Sequence, residues 1–243
     1  MTIKSLKALS ALLNYPTAEL KQACGEISEA LEQDAGVPFG VRNQLHKLLT
    51  ELATGDLYDL QERYVLLFDR TRSLSLHLFE HVHGESRDRG QAMIDLMEQY
   101  EQHGLFLSAA ELPDFLPLFL EYAAHLSPAE ARDTLAQPAH IFAAMAERLR
   151  KRHSSYEAVF RALVALSATK PNADEVSELL KLPDPEASDL KALDAAWEDE
   201  PVNFGPGSGD GCKDGLIARI RGGMRPAPDM PPASQSRPIT PRQ

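Results

Sequence analysis

The sequence predicts an all-α fold, a single helical bundle of about eight to ten helices with an acidic segment and a Pro/Gly-rich tail behind it. Apolar residues recur at intervals of three and four along the first 170 positions, and no stretch sustains the two-residue alternation of a half-buried strand. Helix punctuation falls between those runs: Thr17 and Asp56 stand where N-caps are needed, and Pro16, Gly55 and Gly104 where helices must stop.

Thr2 to Asn14 places Ile3, Leu6, Leu9, Leu12 and Leu13 on one stripe, and Pro16 ends it. Thr17 caps a second helix reaching about Asp34, and a third runs from Pro38 to near Gly55. Asp56 caps a fourth that carries Leu57, Leu60, Tyr64, Leu67 and Phe68 on one face. Ser73 or Ser75 is expected to open another helix, and Glu85 to His103 forms the next, with Met93, Leu96, Met97 and Tyr100 turned inward. Pro113 and Pro117 bracket the start of a helix bearing Leu118, Phe119, Tyr122 and Leu126. Two more are expected, from about Pro128 to Arg152 and from Ser154 to Thr169. This gives a helical domain over 1–170, an acidic segment with short helices packed on it over 171–204, and a tail over 205–243 whose composition lacks the apolar content to fold alone.

A chain of 243 residues that is 43% hydrophobic builds a core without disulfide or metal staples. Its two cysteines, Cys24 and Cys212, fit no ligand spacing and read as thiols in a reducing compartment. Lys4 and Lys7 interrupt any secretory apolar run, so the expected location is the cytoplasm. No apolar stretch approaches the roughly 20 residues that span a bilayer. The net charge of −11 is uneven: from Gly205 onward six basic residues face three acidic ones, a balance of +3, which leaves −14 on the residues before. Such a body repels nucleic acid and attracts a basic peptide.

One motif suggests chemistry. His77, Glu80 and His81 fit the H-x-x-E-H arrangement, with His83 and Glu85 close behind, and two histidines four apart on a helix would share the face a zinc ion needs. A zinc hydrolase would also require a distal ligand and a cleft, and no nucleophile elbow or phosphate-binding loop accompanies the motif. The alternative is that the ring nitrogens act as hydrogen-bond partners at a corner between helices, where Arg87 and Arg89 could pair with Glu80, Glu85 or Asp88, or that these residues form a solvated helix face.

Three strings carry more information than any short motif: ERYVLLFDRTRSLSLHLFEHVHGESRDRG from Glu62 to Gly90, ELPDFLPLFLEYAAHL from Glu111 to Leu126, and WEDEPVNFG from Trp197 to Gly205. In this order they resemble the NarJ family, the delta-subunit assembly chaperones of respiratory nitrate reductase, over roughly residues 1 to 205. The resemblance implies a chaperone without catalytic residues or a cofactor of its own. Its implied partner is the apo catalytic (alpha) subunit, held by a basic amphipathic N-terminal peptide until the molybdenum cofactor is inserted, with the cofactor's biosynthesis proteins as further partners. In the wider family that includes the TorD and DmsD chaperones, a string like Tyr64, Leu67 and Phe68 helps line a groove for a leader peptide. A Pro-Asp motif faces it there, similar to Glu111, Pro113 and Asp114 here, although Phe115 stands where those relatives commonly carry histidine. Asp69, Glu111, Asp114 and Glu121 would meet the peptide's basic residues, with His77, Phe79, Glu80, His81, His83 and Phe115 completing the surface. A chaperone for a dimethyl sulfoxide or trimethylamine N-oxide reductase is the alternative within that wider family, and SLSLHLFEHVHGESRDRG favours the nitrate branch.

Overall fold

A computed structural model of the chain describes residues 3–82, 87–107 and 111–184, and these form ten α-helices. In chain order they are α1 (Ile3–Leu12), α2 (Ala18–Glu32), α3 (Phe39–Thr54), α4 (Leu57–Phe68), α5 (Arg87–Gln102), α6 (Leu116–His125), α7 (Pro128–Ala136), α8 (Ala139–Lys151), α9 (Glu157–Leu166) and α10 (Ala173–Lys181). Two 3₁₀ turns, Arg72–Leu74 and Leu78–His81, lie between α4 and α5. The all-α expectation holds among the described residues. Cys24 is a buried thiol; Cys212, His83, Glu85 and the segments beyond residue 184 lie outside the described residues.

The expected caps are in place. The Thr17 hydroxyl accepts from Leu20 N at 3.2 Å, and the Asp56 carboxylate accepts from Tyr58 N and Asp59 N. Gly104 ends α5 at a φ of 77°, and Leu105 N donates back to Tyr100 O, a closure that glycine adopts without strain. Ser127 and Glu130 cap α7 reciprocally.

The core is one apolar cluster. Its main helix pair is α8 on α9, and Phe142, Met145 and Leu149 of α8 and Val159, Phe160 and Leu163 of α9 are all nearly inaccessible to solvent. Leu6, Leu9, Leu12 and Leu13 of α1 are sealed from solvent as the stripe requires, and α1 packs chiefly against α6. Ser10 Oγ donates to Pro117 O at 2.8 Å across that seam.

Three expectations need correction. The helix expected from Pro128 to Arg152 is two helices, because Pro138 has no N–H to continue the ladder and instead becomes the cap of α8. Met97 is 38% exposed, so the inward face of α5 is Met93, Leu96 and Tyr100 without it. No α-helix opens at Ser73 or Ser75. The backbone there leaves the helical path to bond with the residues before α6: Leu116 N donates to Leu76 O at 2.8 Å and Leu78 N to Asp114 O at 3.0 Å. His77 and Phe115 form an antiparallel bridge between these two segments.

A second tie holds this loop from the other side. Arg148 of α8 is 2% exposed, and its guanidinium donates through Nη1 to Ser73 O at 2.7 Å and through Nη2 to Leu179 O at 2.6 Å. Just beyond α10, Asp184 accepts from Ser73 Oγ and from Arg152 Nη2, both at 2.6 Å. The last described helix, α10, is thereby fastened to α8 and to the loop at residue 73.

Candidate functional site

The bridge at His77 and Phe115 joins two of the diagnostic strings into one unit, and Asp114 is its centre. The Asp114 side chain is completely buried. Its Oδ2 accepts from Phe79 N at 3.1 Å, and its Oδ1 accepts from His77 Nδ1 at 3.2 Å. Arg89 of α5 stands 4.0 Å from Asp114 and 3.4 Å from Glu80. The Asp114 carboxylate, 35 and 37 positions from Phe79 and His77 in sequence, thus meets a histidine-bearing and an arginine-bearing element at one corner, where Arg89 and Glu80 pair as the corner reading anticipated. Tyr100 OH donates to the carbonyl of Pro113 at 2.8 Å and fixes the Pro-Asp segment from below.

The zinc geometry is not formed. His77 precedes the second 3₁₀ turn and His81 ends it, so the two rings do not share a helical face. His81 is buried and its Nε2 donates to Ser75 O at 2.8 Å, while His77 turns to Asp114. Among the described residues no three His, Cys, Asp or Glu side chains come together as a metal site would need.

The aromatic string of α4 is also internal. Tyr64, Leu67 and Phe68 are buried; the Tyr64 and Phe68 rings lie 5.0 Å apart, and Tyr64 OH donates to Leu13 O at 2.8 Å. Burial first, and then the nearby charges of Asp69 and Glu111 among its neighbours, push the Tyr64 phenol well above its ordinary value. Asp69 and Glu111 are exposed, which puts two carboxylates at the surface over a buried aromatic floor. Tyr15, which is 46% exposed, packs edge-on to Tyr64 with centroids 5.6 Å apart. Phe115 is half-buried with its ring 5.4 Å from the His77 imidazole, and the neighbouring Leu112 is 48% exposed.

The residues singled out in the sequence therefore separate into two groups. Tyr64, Leu67, Phe68, Phe79, His81, Pro113 and Asp114 are buried and shape the site. Asp69, His77, Glu80, Glu111 and Phe115 reach its surface, and Glu121 is exposed midway along α6. The buried Asp114 is thus committed to the scaffold, while the Asp69 and Glu111 carboxylates stand at the surface. Sequence reasoning missed Tyr15 and Leu112 as exposed apolar side chains next to the site; the signal available was an aromatic or aliphatic side chain beside a helix-breaking proline.

A family model described as nitrate reductase delta subunit matches residues 14–162. The chain belongs to the nitrate reductase delta subunit family. It is 46% identical over 226 residues to the nitrate reductase molybdenum cofactor assembly chaperone NarJ of Escherichia coli (strain K12), covering 91% of this chain and 94% of the relative. A probable nitrate reductase molybdenum cofactor assembly chaperone of the same strain, NarW, is 42% identical over 201 residues, 82% of this chain and 83% of the relative. The probable NarJ chaperone of Bacillus subtilis (strain 168) is 32% identical over 164 residues, 66% of this chain and 86% of the relative. The segment matched by the delta subunit family model runs from just before Tyr15 into α9 and so contains both sides of the His77–Phe115 bridge.

Two histidines of this delta-subunit site give opposite pH responses. The hydrogen bond to Asp114 holds the His77 pKa above its ordinary value, so its contribution to stability is complete below pH 6.5 and fades as pH rises through that higher pKa. Burial pushes His81 down to about 4, aided by Arg148 and His140 nearby. The unfolded chain takes a proton on His81 near pH 6.5 while the folded one resists until about 4, so this contribution is complete above 6.5 and is lost on acidification. Between these limits the loss is expected to be on the order of 3 kcal/mol. Urea denaturation across that window checks it: His81→Leu should lose correspondingly less stability than the wild type, and parallel curves would refute the assignment.

Proposed function

We propose that the chain is a system-specific chaperone for the apo catalytic subunit of respiratory nitrate reductase. It binds that subunit's basic amphipathic N-terminal peptide in the cytoplasm, and so assists molybdenum cofactor insertion and assembly before membrane docking. The observation that carries this reading is the 46% identity across nearly the full length of both chains to a protein named for that role. The cofactor on this reading belongs to the client, and the chaperone needs no catalytic residue. Favouring the open, cofactor-accepting client by about 1 to 3 kcal/mol shifts its population 5- to 150-fold.

The surface geometry suits the task. Tyr15, Leu112 and Phe115 offer apolar anchors for one face of a peptide helix, and Asp69 and Glu111 lie where its Lys and Arg residues would fall. The apolar contacts supply most of the affinity, and the carboxylates orient the peptide and speed its arrival. No helix among the described residues is long and apolar enough to cross a membrane; on this reading docking to the membrane is the client's task.

Calorimetric titration tests the proposal with an N-terminal peptide of about 20 residues from the client, against a scrambled peptide and leader peptides of dimethyl sulfoxide and trimethylamine N-oxide reductases. Roughly micromolar binding, about −8 kcal/mol, is expected for the nitrate reductase peptide alone. Paired Asp69→Lys and Glu111→Lys changes should weaken it about tenfold, with the difference shrinking as salt screens the charges. Absence of binding in folded protein would overturn the reading, and preference for another reductase's peptide would move it to that client.

A further inference from the structure

A second surface lies on the opposite side of Tyr15. Between α1 and α2 runs a groove of about 720 Å³ whose floor is apolar, formed by Ala8, Ala11, Leu20, Ala23, Ile27 and Ala30. Its rims carry opposite charges: Lys4 and Lys7 along α1, and Glu19, Glu26 and Glu29 along α2, with Tyr15 at its end. An occupant must be apolar on one side, basic toward α2, and able to offer an acid toward α1.

We propose that this groove seats the chain's own basic segment, residues 213–221. In that segment Leu216, Ile217 and Ile220 follow the spacing of one apolar face, while Lys213, Arg219 and Arg221 supply cations and Asp214 an anion. The charge balance points the same way, +3 from Gly205 onward against −14 before it. Reach is ample. The chain leaves the described fold at Asp184, and residues 185–212 at roughly 3.3 Å each can extend on the order of 90 Å. Tethering also raises the segment's effective concentration to about millimolar, so even a weak intrinsic affinity keeps it seated. The groove between α2 and α3, where Phe39 is 71% exposed, is a poorer match because Arg42 and His46 line it. A segment seated between α1 and α2 ends beside Tyr15, next to the surface assigned to the client, but the contact requires no client and stands apart from that assignment.

The natural cysteines make the test direct in the full chain. Cys24 is buried and burial pushes its thiol pKa up, so a thiol-directed nitroxide goes to Cys212, adjacent to the segment. Amide spectra of the labelled protein should lose signal along the α1 and α2 walls of the groove and keep it on α9. Glu26→Lys with Glu29→Lys, both at exposed positions, should restore those signals without altering the rest of the spectrum. Signal loss elsewhere, or none that is localised, overturns the proposal, as does loss that persists in the charge-reversed variant. Loss seen only when spin-labelled and isotope-labelled copies are mixed would make the occupant a second copy and overturn the intrachain contact. Since no client peptide is present, none of these outcomes bears on the client assignment.

Discussion

Asp114→Ala is expected to destabilise the fold by about 3 to 5 kcal/mol, the range for removing one partner from a buried charged network. The side chain has no exposure, and its loss removes the carboxylate that accepts from the Phe79 amide and from the His77 ring nitrogen. The buried amide is the costlier of the two, because His77 is half-exposed and can turn toward water. Asp114→Asn preserves shape and one acceptor, so a smaller loss of about 1 to 3 kcal/mol is expected. Urea denaturation separates the cases. The His77 pKa, followed by nuclear magnetic resonance, should fall in both variants because the carboxylate that raised it is gone. A stability change below about 1 kcal/mol in the alanine variant would mean that the corner is held by the backbone bridge alone.

Arg148→Ala should be of similar size, about 3 to 5 kcal/mol, from two lost charge-assisted hydrogen bonds and the space left by a large, fully buried side chain. Its carbonyl acceptors lie on different elements, Ser73 in the loop and Leu179 in α10, and both would be left without that donor. Lysine cannot restore the pair, since one ammonium lacks the planar fork that reaches two acceptors at once. Amide hydrogen exchange should therefore quicken in α10 and around Ser73 in both Arg148→Ala and Arg148→Lys. Unchanged protection in α10 would show that Asp184 and the apolar contact at Leu179 suffice to hold it.

Helices were legible in this sequence wherever local chemistry decides them. Thr17, Asp56 and Gly104 act within a few residues of themselves, and the Leu6, Leu9 and Leu13 stripe needs only its own period. The loop from Thr71 to His81 escaped because its shape is decided by Asp114 and Arg148, far along the chain. Pro138 was a readable break that the apolar periodicity on either side obscured. At the site, the strings Glu62–Gly90 and Glu111–Leu126 identified the right neighbourhood without saying which side chains face out. The plain helical stripe put Tyr64, Leu67 and Phe68 in the core, and the fold agrees with the stripe. Arg148 carried a signal too: it continues the buried row of Ile141, Ala144 and Met145, where a charge is out of place unless the fold supplies acceptors.

Chain order and bonding order run in opposite directions around that arginine. Ser73 is synthesised before Arg148, and Arg148 before Leu179 and Asp184, so on the ribosome the Ser73 anchor waits for the last described helix to emerge. The segment that carries His77 is thus early in the chain and late in time: it acquires its full set of restraints only when translation has passed residue 184.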